Sequence, residues 1–167
     1  MSADPDFQKI LAKIDRLKSA KDFDLSLEED LSIAVMNLIS LEEHFFFTAQ
    51  KTGQPSYLDL LKQTREIRKT LLARMIDRHE GETWCISKHL LASCMRIMEV
   101  ATKLQTDGKK KEAEDMFSQA YKVYSLFWAV RLKLIDLHGV KKVTTPQPQG
   151  SWSYEDIVNK LVDCCKE

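Results

Sequence analysis

Residues 79 to 91, HEGETWCISKHLL, carry three side chains of the types that bind zinc. Glu82, Cys85 and His89 follow one another at helical spacing and offer oxygen, sulfur and nitrogen ligands. With about 100° between successive helical residues, however, Cys85 and His89 fall outside the apolar stripe of their helix. A structural zinc site also needs a fourth ligand and a shielded setting. We therefore expect no metal and no cofactor, and we keep these three residues as an alternative metal site.

A two-metal carboxylate enzyme is a related alternative. In ferritin-like carboxylate proteins, four helices each point a glutamate inward, and two of them add a Glu-x-x-His pair. This sequence has no Glu-x-x-His pattern, and only Glu42 falls clearly on an inward face. A metal-binding helical-bundle enzyme would therefore need an unexpected fold that assembles Glu43, Glu66, His79 and His89.

Charged side chains on inward helix faces are the more unusual feature of the sequence. In the second predicted helix, Glu42 falls in the middle of an apolar stripe. In the third helix, Arg65 and Arg68 fall within the apolar stripe, and in the fifth, Arg131 shares the inner face with Tyr124. Burying an uncompensated charge costs several kcal/mol, so these residues must be paired or must serve a function.

Two interpretations of this cluster stay open. In the first, Glu42 accepts a forked hydrogen bond from Arg68 or Arg131, and Tyr124 completes a structural network. In the second, the arginines outnumber the carboxylate and surround a pocket between helices for a phosphate or carboxylate ligand. The second interpretation assigns a ligand-binding role to Glu42, Arg65, Arg68, Tyr124 and Arg131.

The elements that must position these residues are helices. The chain has 167 residues, 44% of them hydrophobic, and only five glycines and four prolines, which favours an all-α protein. Capping patterns and glycine breaks divide it into an antiparallel bundle of four to five main helices plus a short C-terminal helix. The predicted main helices start after Asp4, at Ser26, at Ser56, at Thr83 and at Lys109, and the last four end near Thr52, His79, Thr106 and His138.

The helices group into one predicted domain with an appended segment. Residues 1–138 are expected to form the bundle, and the sequence VTTPQPQG within 139–152 is typical of a linker. Residues 153–167 are predicted to form a short helix that docks on the bundle. In the run FFF, Phe45 and Phe46 are predicted to enter the core.

Charge and hydropathy exclude several functional classes. The chain carries 25 basic and 25 acidic residues, so no global field draws it to nucleic acid or to an anionic membrane. No stretch approaches the roughly 18 apolar residues of a membrane span, and no signal-peptide pattern occurs. Four cysteines without C-x-x-C spacing are expected to be reduced thiols. The sequence predicts a soluble, cytoplasmic protein whose partners are a protein, a second copy or a small anionic ligand.

Residues 94–127, CMRIMEVATKLQTDGKKKEAEDMFSQAYKVYSLF, resemble one tetratricopeptide repeat. Ala101 lies on the first helix of that motif, Gly108 in its turn, and Ala113 and Ala120 on its second helix. The resemblance implies two helices that pack closely as an antiparallel hairpin. A solenoid needs at least about three stacked repeats, and no second copy occurs here, so we expect a single hairpin within a bundle.

The segment RMIDRH has the R-x4-H spacing of HEPN-type ribonucleases, with Arg74 and His79 as the matching residues. In that family, which these residues resemble, an arginine stabilises phosphate charge and a histidine moves protons. Met75 replaces the polar residue that usually follows the arginine, and the neutral net charge does not favour RNA. The sequence therefore favours a non-catalytic binding protein, with a ribonuclease and a metal-dependent enzyme as alternatives.

Overall fold

A computed structural model describes residues 5–19, 24–76 and 82–135, and within these residues the chain is helical without any strand. The all-α fold class is therefore confirmed. The predicted linker at 139–152 and the C-terminal helix at 153–167 lie outside the described residues. The five helices are α1 (Pro5–Ser19), α2 (Leu25–Thr52), α3 (Ser56–Met75), α4 (Thr83–Thr106) and α5 (Lys110–Arg131).

The chain divides into two compact units, Met1–Leu71 and Leu72–Glu167, and the division falls inside α3. In the first unit, α2 and the first part of α3 pair as an antiparallel hairpin. Phe45 contacts Tyr57 near the start of α3, whereas Glu42, which is earlier on α2, bonds to Arg65 and Arg68 further along α3. In the second unit, α4 and α5 pack against each other, and the resemblance of this pair to a tetratricopeptide repeat stays a prediction. The single bundle domain expected over residues 1–138 stays a prediction.

The cap residue of helix α2 lies two residues before the expected one. Asp24 is the cap residue, and its Oδ1 accepts hydrogen bonds from the backbone N–H groups of Ser26 and Leu27 at 3.0 and 3.1 Å. The predicted capping role of Ser26 is therefore wrong, because a carboxylate two residues upstream already satisfies the first-turn donors. The other end agrees with the prediction: α2 stops at Thr52, and Gly53 adopts a left-handed conformation (φ 65°).

Helices α4 and α5 end in the same hydrogen-bonded motif, but the left-handed position is a glycine after α4 and a lysine after α5. Helix α4 spans the predicted residues. After its end, the N–H of Gly108 (φ 77°) donates to the carbonyl of Gln105, and the N–H of Lys109 donates to the carbonyl of Leu104. After α5, Lys133 (φ 53°) takes the place of the glycine, and the N–H of Leu134 reaches the carbonyl of Ala129 at 2.8 Å. Helix α5 therefore stops at Arg131 rather than at the predicted His138, because this closure satisfies its last carbonyls.

The two matched helix ends give a stability prediction. A left-handed conformation costs a non-glycine residue about 1 kcal/mol, so Lys133→Gly should raise the free energy of unfolding by about 0.5–1 kcal/mol. Gly108→Lys should lower it by about 1 kcal/mol through the same conformational preference. A Cβ at Gly108 would meet nothing within 4 Å, so steric clash does not confuse the comparison. Urea unfolding measures both changes. If the two variants shifted the free energy of unfolding in the same direction, the left-handed conformation would not be the cause.

The buried residues of each hairpin follow the helical periodicity of the sequence in part. In α5, Ala113, Ala120 and Phe127 are buried as predicted. Phe46, however, is exposed, because the run FFF points three ways and only Phe45 reaches Tyr57 on the neighbouring α3. Ile135 is also exposed, because α5 has already ended at Arg131. No described helix is long and apolar enough to cross a membrane.

Candidate functional site

The centre of the α2–α3 hairpin is a carboxylate held by two guanidinium groups. Glu42 lies in the middle of α2, and Arg65 and Arg68 lie one turn apart on the facing side of α3. Arg65 Nε donates to Glu42 Oε2 at 2.8 Å, and Arg68 Nε donates to Glu42 Oε1 at 2.8 Å. Arg68 Nη2 adds a longer bond to Oε2 at 3.4 Å. The forked bond expected from Arg68 is therefore present, with Arg65 as an additional donor.

Burial separates the roles of the two arginines. The Arg68 side chain is 1% exposed and the Glu42 side chain 9% exposed, whereas 46% of the Arg65 side chain is exposed. A buried ion pair is stable only when its hydrogen bonds are satisfied, and Arg68 with Glu42 meets that condition through two bonds. Arg65 instead reaches the pair from the solvent side. The three residues together carry one net positive charge.

The other two members of the predicted cluster lie in the second unit. Tyr124 belongs to a ring cluster on α5, stacked on Phe127 at a centroid distance of 6.0 Å and edge-on to Trp128 at 6.2 Å. Arg131 is half-buried in the last turn of α5. The structure therefore brings together Glu42, Arg65 and Arg68 within one hairpin, and a shared site with Tyr124 and Arg131 stays a prediction.

The alternative metal site at Glu82, Cys85 and His89 does not assemble. Within residues 5–19, 24–76 and 82–135, no group of three metal-ligand side chains lies close enough to hold an ion. His89 is exposed, as expected, but Cys85 is buried, and the expectation that it faces solvent is wrong. The reason is that the first turns of α4 are enclosed on more than one side, since Thr83, Trp84 and Ser87 are also buried.

The remaining enzyme alternatives gain no geometric support. Arg74 is an exposed residue near the end of α3, and its proposed ribonuclease partner, His79, lies outside the described residues. Glu43 and Glu66 are both exposed, and Glu66 accepts a hydrogen bond from Lys69 Nζ at 3.1 Å. These carboxylates are therefore not part of an inward metal site in the described hairpin.

The buried hydroxyl of Ser87 on α4 escaped the sequence reasoning, whereas the buried Cys94 lies on the face that the helical periodicity predicts. Ser87 is fully buried, and its hydroxyl makes no hydrogen bond within the described part of the chain. Burial also raises the pKa of the Cys94 thiol, which keeps it protonated and weakly nucleophilic at neutral pH. Ser87 precedes Cys94 by seven residues, so the two-turn periodicity could have placed it on the inner face. Ser87 was not predicted to be buried because only apolar residues were used to define the inner face.

No protein-family model matches the chain, and no curated protein or solved structure is significantly similar to it. The functional interpretation therefore depends on the geometry of the hairpins alone.

Proposed function

We propose that the protein is a non-catalytic binding module and that its α2–α3 hairpin recognises an anionic group, a phosphate or a carboxylate, on a small ligand or a protein partner. The observation that supports this proposal is the half-exposed Arg65 guanidinium beside the buried pair of Glu42 and Arg68. Arg65 and Arg68 supply one more positive charge than Glu42 neutralises, and the Arg65 side chain is the exposed one.

Arg65 has donors available for such a ligand. Only its Nε is engaged, with Glu42 Oε2, and its two Nη groups make no hydrogen bond within the described residues. A guanidinium offers its N–H groups in a planar fork that matches two oxygens of a carboxylate or phosphate. Because the Arg65 Nε is hydrogen-bonded to Glu42, the two Nη groups already have a fixed orientation. Less side-chain entropy is therefore lost when Arg65 binds an anion.

The buried pair gives Glu42 and Arg68 a positioning role. Arg68 fixes the Glu42 carboxylate through both of its oxygens, and the carboxylate in turn fixes Arg65. Glu42 therefore sets the direction of the exposed guanidinium, while Arg68 holds the carboxylate in place inside the hairpin. In this assignment Arg65 touches the ligand and the other two residues do not.

A phosphate titration tests the proposal. Inorganic phosphate, added at constant ionic strength to about ten times its Kd, should stabilise the protein by about 1.4 kcal/mol and raise Tm by about 3–6 °C. Arg65→Gln should lose this response. The matched control is Arg16→Gln on α1, which removes another exposed arginine and should respond like the wild type.

The control also separates specific binding from the general stabilising effect of phosphate, which would appear equally in both variants. Acetate in a parallel titration distinguishes a carboxylate site from a phosphate site. A wild type that responds to neither anion, or an Arg65→Gln variant that responds as strongly as Arg16→Gln, would overturn the proposal.

A further inference from the structure

The exposed guanidinium of Arg65 has an aromatic neighbour on α2. Phe46 is 45% exposed although it belongs to the apolar stripe of that helix, and Phe47 beside it is 48% exposed. The two rings contact each other edge-on, with their centroids 5.2 Å apart and an interplanar angle of 66°. Phe46 therefore offers an aromatic surface to solvent, and the second ring restricts its rotation.

Phe46 and Arg65 lie on the same side of the α2–α3 hairpin. Glu42 and Arg68 face each other, since they are hydrogen-bonded. On α2, Phe46 follows Glu42 by four residues, which rotates it about 40° forward around the helix. On α3, Arg65 precedes Arg68 by three residues, which also amounts to a forward rotation, of about 60°. In an antiparallel pair of helices, rotation in the same sense from two facing residues leads to the same side of the pair.

Phe46 and Arg65 are also close along the helix axes. Arg65 Nε donates to Glu42 Oε2 at 2.8 Å, so the guanidinium lies at the level of Glu42. Residues four apart on a helix have their Cβ atoms about 6 Å apart, and helical side chains lean toward the N-terminus of their helix. The Phe46 ring therefore leans toward the turn of Glu42, and about one helical turn separates the ring from the cationic group.

Charged side chains on this side of the hairpin restrict the ligand. Lys62 lies one turn before Arg65 on α3 and is exposed, so α3 offers two cations. Glu43 follows Glu42 on α2 with a forward rotation of about 100° and is also exposed. Its carboxylate disfavours a second anionic group beside α2. The surface therefore favours a ligand that places its charge against α3 and a neutral part over α2.

We propose that the ligand of Arg65 is an aryl phosphate, whose phosphate binds the Arg65 Nη groups and whose aromatic ring packs against Phe46. This inference rests on the proposed function, because the same guanidinium binds the anion. Two cations on α3 match the charge of a phosphate monoester, which is close to −2 at neutral pH, better than that of a carboxylate. A ring on Phe46 gains more than the buried area alone provides, and a planar guanidinium also stacks on rings.

Two ligands that differ only in the ring test this inference. Isothermal titration calorimetry on the full chain compares phenyl phosphate with methyl phosphate at one pH and constant ionic strength. Phenyl phosphate should bind about 10-fold tighter, the gain expected from one aromatic contact. Arg65→Gln should lose the binding of both ligands, and Lys62→Gln should weaken both about two- to threefold.

Variants of α2 identify the residue that binds the ring. Phe46→Ala should remove the preference for phenyl phosphate and leave the Kd of methyl phosphate within about twofold, whereas Phe46→Tyr keeps a ring and should keep the preference. The matched control is Leu41→Ala, which truncates another exposed apolar side chain of α2, rotated about 100° backwards from Glu42. It should keep the preference, and circular dichroism should report unchanged helix content in all variants.

The outcomes separate this inference from the proposed function. Methyl phosphate that binds through Arg65 as tightly as phenyl phosphate would overturn the aryl assignment alone, and a wild type that binds neither would overturn both. A preference that persists in Phe46→Ala, equal loss in Leu41→Ala, or benzoate binding tighter than phenyl phosphate would also overturn the aryl phosphate assignment. A phosphotyrosine peptide distinguishes the two sources of this group: binding at least as tight as that of phenyl phosphate indicates a modified protein, and weaker binding a small molecule.

Discussion

Glu42→Leu is expected to lower the free energy of unfolding by about 3 kcal/mol, the effect of removing one member of a buried ion pair. The Arg68 side chain is 1% exposed and would lose the carboxylate that accepts two of its hydrogen bonds. Leucine fills much of the space but accepts no hydrogen bond. Urea unfolding followed by circular dichroism measures the loss.

The double variant Glu42→Leu/Arg68→Leu separates pairing from packing. If the loss arises from a stranded guanidinium, the second substitution should return the free energy of unfolding to within about 1 kcal/mol of the wild type. The same variant should lose the phosphate response, because Arg65 no longer has the carboxylate that orients it. Additive destabilisation by the two substitutions, or a normal phosphate response, would contradict these roles.

Phe127→Ala is expected to lower the free energy of unfolding by about 3–5 kcal/mol, the range for truncating a fully buried aromatic side chain. Phe127 is 0% exposed and contacts both other rings of its cluster, Tyr124 at 6.0 Å and Trp128 at 5.7 Å between centroids. Its removal leaves a cavity on the inner face of α5. Urea unfolding measures the stability, and the fluorescence of Trp128 should change with the loss of the neighbouring ring.

The control for that prediction lies two turns earlier on the same helix. Tyr121 is 73% exposed, so Tyr121→Ala removes a ring of similar size with little change in buried area and should shift the free energy of unfolding by about 0.5 kcal/mol or less. Similar losses for the two variants would mean that helix propensity rather than packing at Phe127 controls the stability of α5.

The sequence predicted the helices best where local chemistry determines their ends. Gly53 and Gly108 stop α2 and α4 because a left-handed residue closes the last turn, and glycine adopts that conformation without strain. The end of α5 could not be predicted in this way. Lys133 takes the same conformation against its own preference, so no residue type in the sequence marks this helix end.

The candidate site was predictable in part. Helical periodicity placed Glu42 and Arg68 inward because their apolar neighbours reveal the buried face. Periodicity could not choose between Arg68 and Arg131 as the partner of Glu42, since that choice depends on which helices are adjacent. It also misplaced Cys85, because an amphipathic projection assumes one buried face, whereas the start of α4 is enclosed more widely.

The carboxylate between two arginines has a consequence for the alignment of α2 and α3. Apolar rows with a seven-residue period look nearly the same after a slide of one period, about 10.5 Å, so packing alone permits degenerate alignments of the two helices. Glu42 is a single acidic group in an uncharged stretch of its apolar stripe, and it meets Arg65 and Arg68 in one alignment only. A slipped hairpin would leave the buried charges of Glu42 and Arg68 without each other in an apolar interface, so the ion pair selects one alignment among several of similar packing energy.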